Sequence, residues 1–228
     1  MFGSYSFIYA AFNRGMAYAN RAKYSNVSDR ILCISDPHVP YQLPIETFSQ
    51  YAGLADTLVL NGDICDHQAI SRFPKSYRVS PMEELITCRQ YLISLIEYIN
   101  PQKVIVIYGN HDTRFQSYFA KNLDSDILEL MPKTSLELLF VDGFHHYNKK
   151  ERTKVWYSPL KEVFSDIETV YADNWFYQIG DAICCHPIAY SSGILKTADK
   201  AVQYFRNEGY KSQVDLSSYS SHRRLCSR

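Results

Sequence analysis

Four short apolar runs in this chain each end in residues that can bind a metal ion. They read ILCISDPH (31–38), LVLNGDICD (58–66), VIVIYGNHD (104–112) and AICCHP (182–187). In an α/β sheet, the residues that follow parallel strands are delivered to one edge, and ligands bind there. Strand-like runs with this recurrent ending therefore predict an α/β fold that gathers Asp, His and Asn side chains at one edge of its sheet.

A helix is predicted between the second and third of these runs. Apolar residues recur at helical spacing over 81–99, and Ser80 with Glu83 has the capping-box pattern that starts a helix. A connecting helix of this kind is what parallel pairing between strands at 57–60 and 103–107 requires. This part of the chain is therefore predicted as strand, helix and strand of one parallel sheet.

The second half of the chain is predicted to hold shorter elements. Short helices are expected near 114–131, followed by a loop that carries His145 and His146 and forms a lid or a rim around a substrate. Antiparallel strands with a hairpin turn are expected over 168–185, and a last helix over 194–208.

Length and composition favour a single domain that folds without a structural metal or a disulfide. At 228 residues with 46% hydrophobic content, the chain can bury a full core. We assign residues 30–228 to this domain and residues 1–29 to an N-terminal arm of unknown role. The sequence does not indicate an oligomeric state.

The cysteines and the N-terminus favour a soluble protein of the cytoplasm. The six cysteines include no CxxC pair, which fits a reducing compartment better than a disulfide framework. The apolar patch near the N-terminus is interrupted by Asn13 and Arg14. It is too short for a secretory signal or a membrane span, so no membrane partner is expected.

Net charge does not select a macromolecular partner. The 24 basic and 24 acidic residues balance, which removes net charge as an argument for nucleic acid or an anionic membrane. The 19 tyrosines are dispersed along the chain without the interleaved basic residues that nucleic-acid grooves use. Nucleic acid is therefore a possible partner that the composition does not indicate.

Each candidate metal-binding motif is weak when it stands alone. Asp36 and His38 in a proline-containing turn, or Asp63 and Asp66 after an apolar run, are more often ordinary turn residues. A single His186 after an apolar strand is more often a structural histidine than a ligand. The joint occurrence of the motifs in this order is what favours a common site.

In order along the chain, DxH, GDxxD and GNHD are followed by an apolar run that ends in His. This arrangement resembles the calcineurin-like metallophosphoesterase superfamily over residues 30–209. The segments SDPHVPY, NGDICD and GNHDTRF are especially similar to its bacterial and phage-type members. The resemblance implies a four-layer α/β/β/α sandwich.

The resemblance also implies a centre of two divalent or mixed-valence metal ions. It places Asp36 and His38 on the first ion, Asp63 between the two ions, and Asn110 and His186 on the second. A mixture of imidazole and oxygen ligands suits Mn, Fe or Zn better than Ca or Mg.

The implied activity is hydrolysis of a phosphate ester by two-metal activation of water, with a phosphodiester favoured over a monoester. The resemblance makes His111 the general acid and Asp66 its partner. Arg72 and Arg114 are candidate phosphate-binding residues, while a structural role is favoured for His67. The motifs do not distinguish a diester, a monoester or a nucleic acid as substrate.

One part of the family pattern is missing. A GHxH motif is expected shortly after Gly209, but the sequence there is YKSQVDLSSYSSHRRLCSR, in which Ser220 and His222 are the nearest match. A diverged, a truncated and a frame-shifted motif are all open alternatives, and the final core strand is in doubt. The alternative function is therefore a non-catalytic interaction protein that keeps the fold with a degraded metal site.

Overall fold

The computed structural model describes residues 30–71, 80–149, 151–180, 182–187 and 196–210, together with the course of a strand at 214–217. The strands are β1 (Ile31–Ile34), β2 (Thr57–Asn61), β3 (Lys103–Ile107), β4 (Phe144–Asn148), β5 (Thr153–Tyr157), β6 (Glu168–Tyr171), β7 (Phe176–Ile179), β8 (Ala182–Cys185) and β9 (Val214–Ser217). The helices are α1 (Pro81–Ile99), α2 (Arg114–Asn122), α3 (Ser125–Leu128), α4 (Ser135–Glu137), α5 (Leu160–Val163) and α6 (Lys196–Asn207). Short 3₁₀ turns at Ile45–Tyr51 and Gln68–Ile70 and a π turn at Leu138–Asp142 complete the described elements.

A four-stranded sheet in the order β1-β2-β3-β6 forms the centre of the fold. All three of its strand pairs are parallel, which confirms the predicted pairing of β2 with β3. The antiparallel prediction for the start of 168–185 is wrong, because β6 pairs parallel with β3 in this sheet. The turn of α5 and its flanking loops bring the chain back to the same end of the sheet, so β6 starts in the same direction as β3.

Helix α1 covers one face of this sheet. Its predicted bounds are confirmed, and both hydrogen bonds of the capping box between Ser80 and Glu83 are present. Its buried apolar side chains belong to the main hydrophobic cluster, together with residues of β2 and β3 such as Leu58 and Val106. Apolar residues at helical spacing thus form one stripe that buries against the sheet.

A second sheet lies against the other face. Its order is β7-β8-β9, in which β7 and β8 form the predicted antiparallel hairpin and β9 runs parallel to β8. Val59 and Ile105 of the first sheet share a buried cluster with Cys184 of β8. Helix α6 contributes Phe205 to a separate cluster with Phe176 of β7.

The segment around His145 and His146 forms a β-hairpin, so the predicted loop is wrong. Strands β4 and β5 pair antiparallel from Phe144 opposite Tyr157 to Asn148 opposite Thr153. Burial alternates along β4, as in a strand with one face on the core: Phe144 is buried and its neighbour His145 is exposed. Most residues of this stretch are polar, so the sequence did not reveal the alternation.

These elements confirm a mixed α/β fold with a parallel central sheet. The complete four-layer sandwich stays a prediction, because 188–195 and 211–213, which flank α6, lie outside the described residues. The predicted arm 1–29 also lies outside them. Among the helices that are described, none is long and apolar enough to cross a membrane.

Candidate metal centre

Backbone hydrogen bonds continue past the ends of β1 and β2 and bring their loops together. The N–H of Asp36 donates to the carbonyl of Gly62 (3.2 Å), and the N–H of His38 donates to the carbonyl of Asp63 (3.0 Å). Val39 and Cys65 then form an isolated parallel bridge. The DxH and GDxxD motifs therefore lie side by side because the parallel register extends into the loops.

Three candidate ligands have left-handed backbone conformations. The φ angles are 54° for Asp36, 47° for His38 and 52° for Asp63. For residues other than glycine this conformation is uncommon, and strain of about 1–3 kcal/mol for such a residue tends to occur at functional sites. These backbone conformations direct the three side chains towards one another and reduce local stability.

Asp63 is the centre of the cluster. Its side chain is fully buried, and its Oδ1 accepts a hydrogen bond from the backbone N–H of His111 (2.7 Å). Its Oδ2 faces the Nε2 atoms of His186 (3.3 Å), His38 (3.8 Å) and His111 (3.9 Å). Within the described part of the chain, this buried oxygen accepts no hydrogen bond.

Asp36 provides a second oxygen of the same kind. Its Oδ2 accepts a hydrogen bond from the Ser35 hydroxyl (2.7 Å), whereas its Oδ1 is buried and accepts none from the described residues. The same Oδ1 lies 3.7 Å from Nε2 of His38. Two buried carboxylate oxygens without donors are costly unless a cation binds between them.

The orientation of His186 is set by its other ring nitrogen. Nδ1 lies 2.9 Å from the carbonyl oxygen of Asn61, to which it can only donate. In the neutral ring, the Nε2 lone pair then points at Asp63. A lone pair and a carboxylate oxygen repel unless a cation lies between them, and this fixed tautomer is the one that metal-binding histidines use.

Asp66 orients two further imidazoles. Its Oδ1 lies 3.1 Å from Nδ1 of His38 and 3.1 Å from Nδ1 of His111, whose Nδ1 is also 3.1 Å from the Asp66 carbonyl oxygen. The rings of the two histidines meet edge to face at 4.3 Å. One carboxylate therefore turns both Nε2 atoms towards Asp63.

The ligand atoms form two groups that share Asp63. One group holds His38, Asp63 and His111, and the other holds Asp36, Asp63 and His186, with the ligand atoms of each group within 4.8 Å of one another. Imidazole and carboxylate donors, with unpartnered carboxylate oxygens at their centre, fit divalent transition metals. Because Asp63 belongs to both groups, its carboxylate could bind two ions at once.

Charge at the site favours a cation. Burial alone would lower the pKa of His38, but its contacts with Asp36 and Asp66 and the charge of Asp63 raise that pKa to about 10. Burial would raise the pKa of Asp63, yet its interaction with His186 holds that pKa below its usual range. Protons on the imidazoles thus balance the buried carboxylates when no metal ion is bound.

Two glycines allow the loops to approach this closely. A Cβ on Gly62, whose φ is +77°, would lie 2.6 Å from Cγ of His186. A Cβ on Gly109 would lie 2.6 Å from the backbone N of Asp63 and 2.8 Å from Cδ2 of His186. The GD and GN steps of the motifs therefore leave room for ligands from other strands.

Asp112, the last residue of GNHD, joins the loops that follow β2 and β3. It is fully buried, and its carboxylate accepts hydrogen bonds from the N–H groups of Gly109 (2.9 Å) and Cys65 (3.3 Å). Burial and the charge of Asp63 raise the pKa of Asp112 to about 6. Sequence reasoning assigned it no role, although an Asp that ends a turn motif is a common acceptor for backbone N–H groups.

Two other candidate residues, Asn110 and His67, lie outside these ligand groups. Asn110 lies between Gly109 and His111, and its carbonyl accepts a hydrogen bond from the Thr113 hydroxyl (3.0 Å); its role as a ligand stays a prediction. His67 is buried with its Nε2 2.6 Å from the Ser135 hydroxyl, which is a structural contact.

Arg114 lies at the edge of the site. Its Nη2 donates to Nε2 of His111 (2.9 Å) and its Nη1 donates to the carbonyl of Asp66 (2.8 Å). The other candidate cation, Arg72, lies outside the described residues.

The doubted last strand is present, since β9 runs parallel to β8 with Ser217 opposite Cys185. Strand β9 therefore ends one position before the level of His186. Ser220 and His222 lie outside the described residues, so a ligand from this end stays a prediction.

Comparison with known protein families identifies one to which this chain is similar. The family model described as calcineurin-like phosphoesterase matches residues 29–178, which include the first three ligand motifs. No curated protein sequence matches the chain.

Proposed function

Because the chain belongs to the calcineurin-like phosphoesterase family, we propose that it is a metal-dependent hydrolase of phosphate esters, with a phosphodiester as the favoured substrate. The observation that carries the proposal is the pair of ligand groups that share Asp63. Its buried Oδ2 lacks a donor from the described residues and faces three imidazole nitrogens.

The proposed centre holds two ions of Mn, Fe or Zn. By resemblance to the family, Asp36 and His38 would bind the first ion, Asp63 would bind both, and Asn110 and His186 would bind the second. The ligand groups of the structure instead place Asp36 with His186 and His38 with His111, although Oδ1 of Asp36 also lies 3.7 Å from Nε2 of His38. Such ions polarise a phosphate ester and make water nucleophilic near neutral pH. Among the proposed ligands only Asp36 and Asp63 carry negative charge, less than the charge of two divalent ions, so the ions would attract an anionic ester.

His111 is proposed as the general acid that gives a proton to the leaving alkoxide. Its ring is held at Nδ1 by Asp66, and its Nε2 faces the cluster at 3.9 Å from Asp63 Oδ2. Asp66 acts through His111 and His38 and is a positioning residue. The backbone N–H of His111 also holds Oδ1 of Asp63, which leaves Oδ2 for the ions.

Arg114 is proposed to bind a phosphate oxygen of the substrate. In the structure its guanidinium donates to His111 Nε2, so a substrate at the cluster would lie within reach of the same group. A guanidinium is suited to this role because it offers several N–H donors in a fixed plane. Arg72 stays a second candidate from the sequence.

Metal analysis of the purified protein, combined with turnover of bis-p-nitrophenyl phosphate and p-nitrophenyl phosphate, tests the proposal. We expect bound transition metal and faster hydrolysis of the diester. Faster hydrolysis of the monoester would reject the diester assignment alone. Fewer than about one ion per chain and no hydrolysis of either compound would reject the enzyme, since two-metal hydrolysis needs both ions.

The second candidate function is an interaction protein that keeps this fold with a degraded metal site. The observation that favours it is that residues 210–228 contain no HxH sequence. Loss of one or two imidazoles would weaken metal binding without disturbing the central sheet. The same metal analysis separates the two functions.

We also propose that the protein works in the reducing cytoplasm. Cys33, Cys65, Cys88, Cys184 and Cys185 are free thiols, and four of these five are buried. Buried thiols of this kind pack as small apolar residues. Intact folding of the purified protein in millimolar reductant would support this setting, and loss of the fold on reduction would contradict it.

A further inference from the structure

The β4–β5 hairpin exposes aromatic and basic side chains on one face. His145 pairs with Trp156, and Tyr147 pairs with Lys154. Directly opposed residues share a face of a sheet, and so do residues two apart along a strand. These four residues, here called the hairpin face, are all exposed, with Tyr147 54% and Trp156 49% accessible.

Further positive charge lies at the turn of the hairpin. Lys149 and Arg152 are both exposed there, and Glu151 is the one acidic residue between Phe144 and Tyr157. Among the described residues, the ion pairs of the structure include none to Lys149, Arg152 or Lys154. These cations are therefore available to a ligand.

The opposite face anchors the hairpin to the core. Phe144 is buried and stacks on Tyr157 at 4.9 Å, and the Arg89 guanidinium lies 5.6 Å from the Tyr157 ring.

On the hairpin face itself, Trp156 packs against the backbone of Gly143, where a Cβ would come within 2.6 Å of the indole ring. One edge of the indole is thus held by its contact with Gly143, while about half of the side chain faces solvent.

We propose that the hairpin face binds single-stranded nucleic acid. Bases would stack on Trp156 and Tyr147, while Lys154 and the cations of the turn would lie near the phosphates. Aromatic rings interleaved with basic residues are how proteins bind single strands without reading their sequence. A protein partner is disfavoured because lysine is depleted at protein interfaces, whereas here it stands among the aromatic residues.

The four residues of the hairpin face are not consecutive in the sequence. Polar residues separate them, so the sequence alone does not show that they form one surface. Pairing of β4 with β5 is what places Lys154 beside Tyr147. The binding surface does not depend on the metal centre, and its test therefore excludes metal.

The test is fluorescence anisotropy of the full chain with a labelled oligothymidylate of about 16 nucleotides, in EDTA so that hydrolysis plays no part. We expect binding that weakens steeply with salt. Replacing Tyr147→Ala and Trp156→Ala together should reduce affinity at least about tenfold, since one stacked base contributes about 1–3 kcal/mol. Trp156→Phe, which keeps a ring, should bind nearly as the parent protein does.

A charge variant tests the phosphate contacts. Lys149→Gln, Arg152→Gln and Lys154→Gln together should lower the slope of log affinity against log salt by about 2, at about 0.7 for each lost contact with a single strand. Tyr51→Ala and Lys200→Gln, exposed positions on other elements, serve as matched controls and should bind as the parent does.

The proposal is overturned by no anisotropy change for the parent protein at about 50 mM salt, by parent-like binding of the Tyr147→Ala, Trp156→Ala protein, or by an equal loss in the controls. Heparin that competes with the oligonucleotide and binds equally well to the Tyr147→Ala, Trp156→Ala protein would show a nonspecific polyanion surface and would also overturn it. Hydrolysis of bis-p-nitrophenyl phosphate should be unchanged in all hairpin variants, so failure here leaves the proposed phosphoesterase untouched.

Discussion

His111 has contacts that fit two different roles. Its Nδ1 is held by Asp66, as expected for a proton donor that a neighbour orients. Its Nε2 accepts a hydrogen bond from Arg114 in the structure, so Arg114 would have to turn to the substrate before this nitrogen could carry the proton to be donated. It also belongs to a ligand group with His38 and Asp63, as expected for a metal ligand. The two roles differ in what happens to bound metal when the imidazole is removed.

We predict that His111→Ala lowers turnover of bis-p-nitrophenyl phosphate by about 10²–10⁴-fold, the usual contribution of general acid catalysis, while metal content is retained. The measurements are kcat and the metal-to-protein ratio of the same preparation. His145→Ala removes an exposed imidazole from β4 and should change neither. Parallel loss of metal and rate would make His111 a ligand instead.

At the level of residues, the sequence identified candidate ligands that the structure brings together. Asp36, His38, Asp63 and His186 lie in the two groups around one carboxylate. It did not identify Asp112 or the double contact of Asp66. Both depend on which backbone N–H groups and ring nitrogens lie nearby, and the motif letters carry no such information.

At the level of elements, the loop after β3 must fit between the loop after β2 and the end of β8. Gly109 is the point of closest approach, where a side chain would meet the backbone of Asp63 and the ring of His186. Its backbone does not require glycine, because its φ is not among the positive values of the chain. A substitution there consequently tests space alone.

We predict that Gly109→Ala destabilises the metal-free protein by about 1–3 kcal/mol through overpacking. Displacing a candidate ligand should also weaken Mn binding by at least about tenfold. Urea unfolding in EDTA and Mn titration measure the two effects. Gly180→Ala, at an open turn with a φ of +55°, should destabilise by about 1–2 kcal/mol through its backbone and leave Mn affinity unchanged. Equal Mn affinities in the two variants would contradict this account.

Helix α1 also supports the site through a buried carboxylate. Glu84 accepts hydrogen bonds from the backbone N–H groups of Gln68 (2.8 Å) and Ala69 (3.2 Å), which begin the 3₁₀ turn two residues after Asp66. Glu84 itself is 1% exposed.

Glu84→Ala is therefore expected to reduce the free energy of unfolding by about 1–3 kcal/mol, because it removes a buried carboxylate that accepts hydrogen bonds from two half-buried N–H groups. Glu97→Ala, at an exposed position of the same helix, should change it by no more than about 0.5 kcal/mol. Chemical denaturation in EDTA measures both. If the two variants unfold alike, the contact with the turn does not stabilise the fold.

For the whole molecule, the candidate metal centre draws its residues from both sheets. Asp63 follows β2 of the first sheet and His186 follows β8 of the second, with their side chains 3.3 Å apart. An ion held by both would stabilise the folded chain, since an unfolded chain cannot present them together.

We predict that Mn at about 100 times its dissociation constant stabilises the protein by about 2.7 kcal/mol and raises Tm by about 5–10 °C. Asp63→Asn keeps the shape of the side chain but should abolish most of this shift. Differential scanning calorimetry with and without Mn measures it, and Ca²⁺ is the control ion that prefers all-oxygen sites. An unchanged Mn shift in Asp63→Asn would remove Asp63 from the centre.

The sequence by itself determined the α/β class, helix α1 and the residues offered at the sheet edge, because these depend on local periodicity and on side chains that directly follow strands. Only the tertiary structure decided the parallel place of β6, the β4–β5 hairpin and the sharing of Asp63 by two groups. The place of β6 and the sharing of Asp63 depend on contacts between segments far apart in the chain, and the hairpin depends on the pairing of two neighbouring strands. In each case hydrogen-bond register and close backbone approach, rather than local composition, select the arrangement.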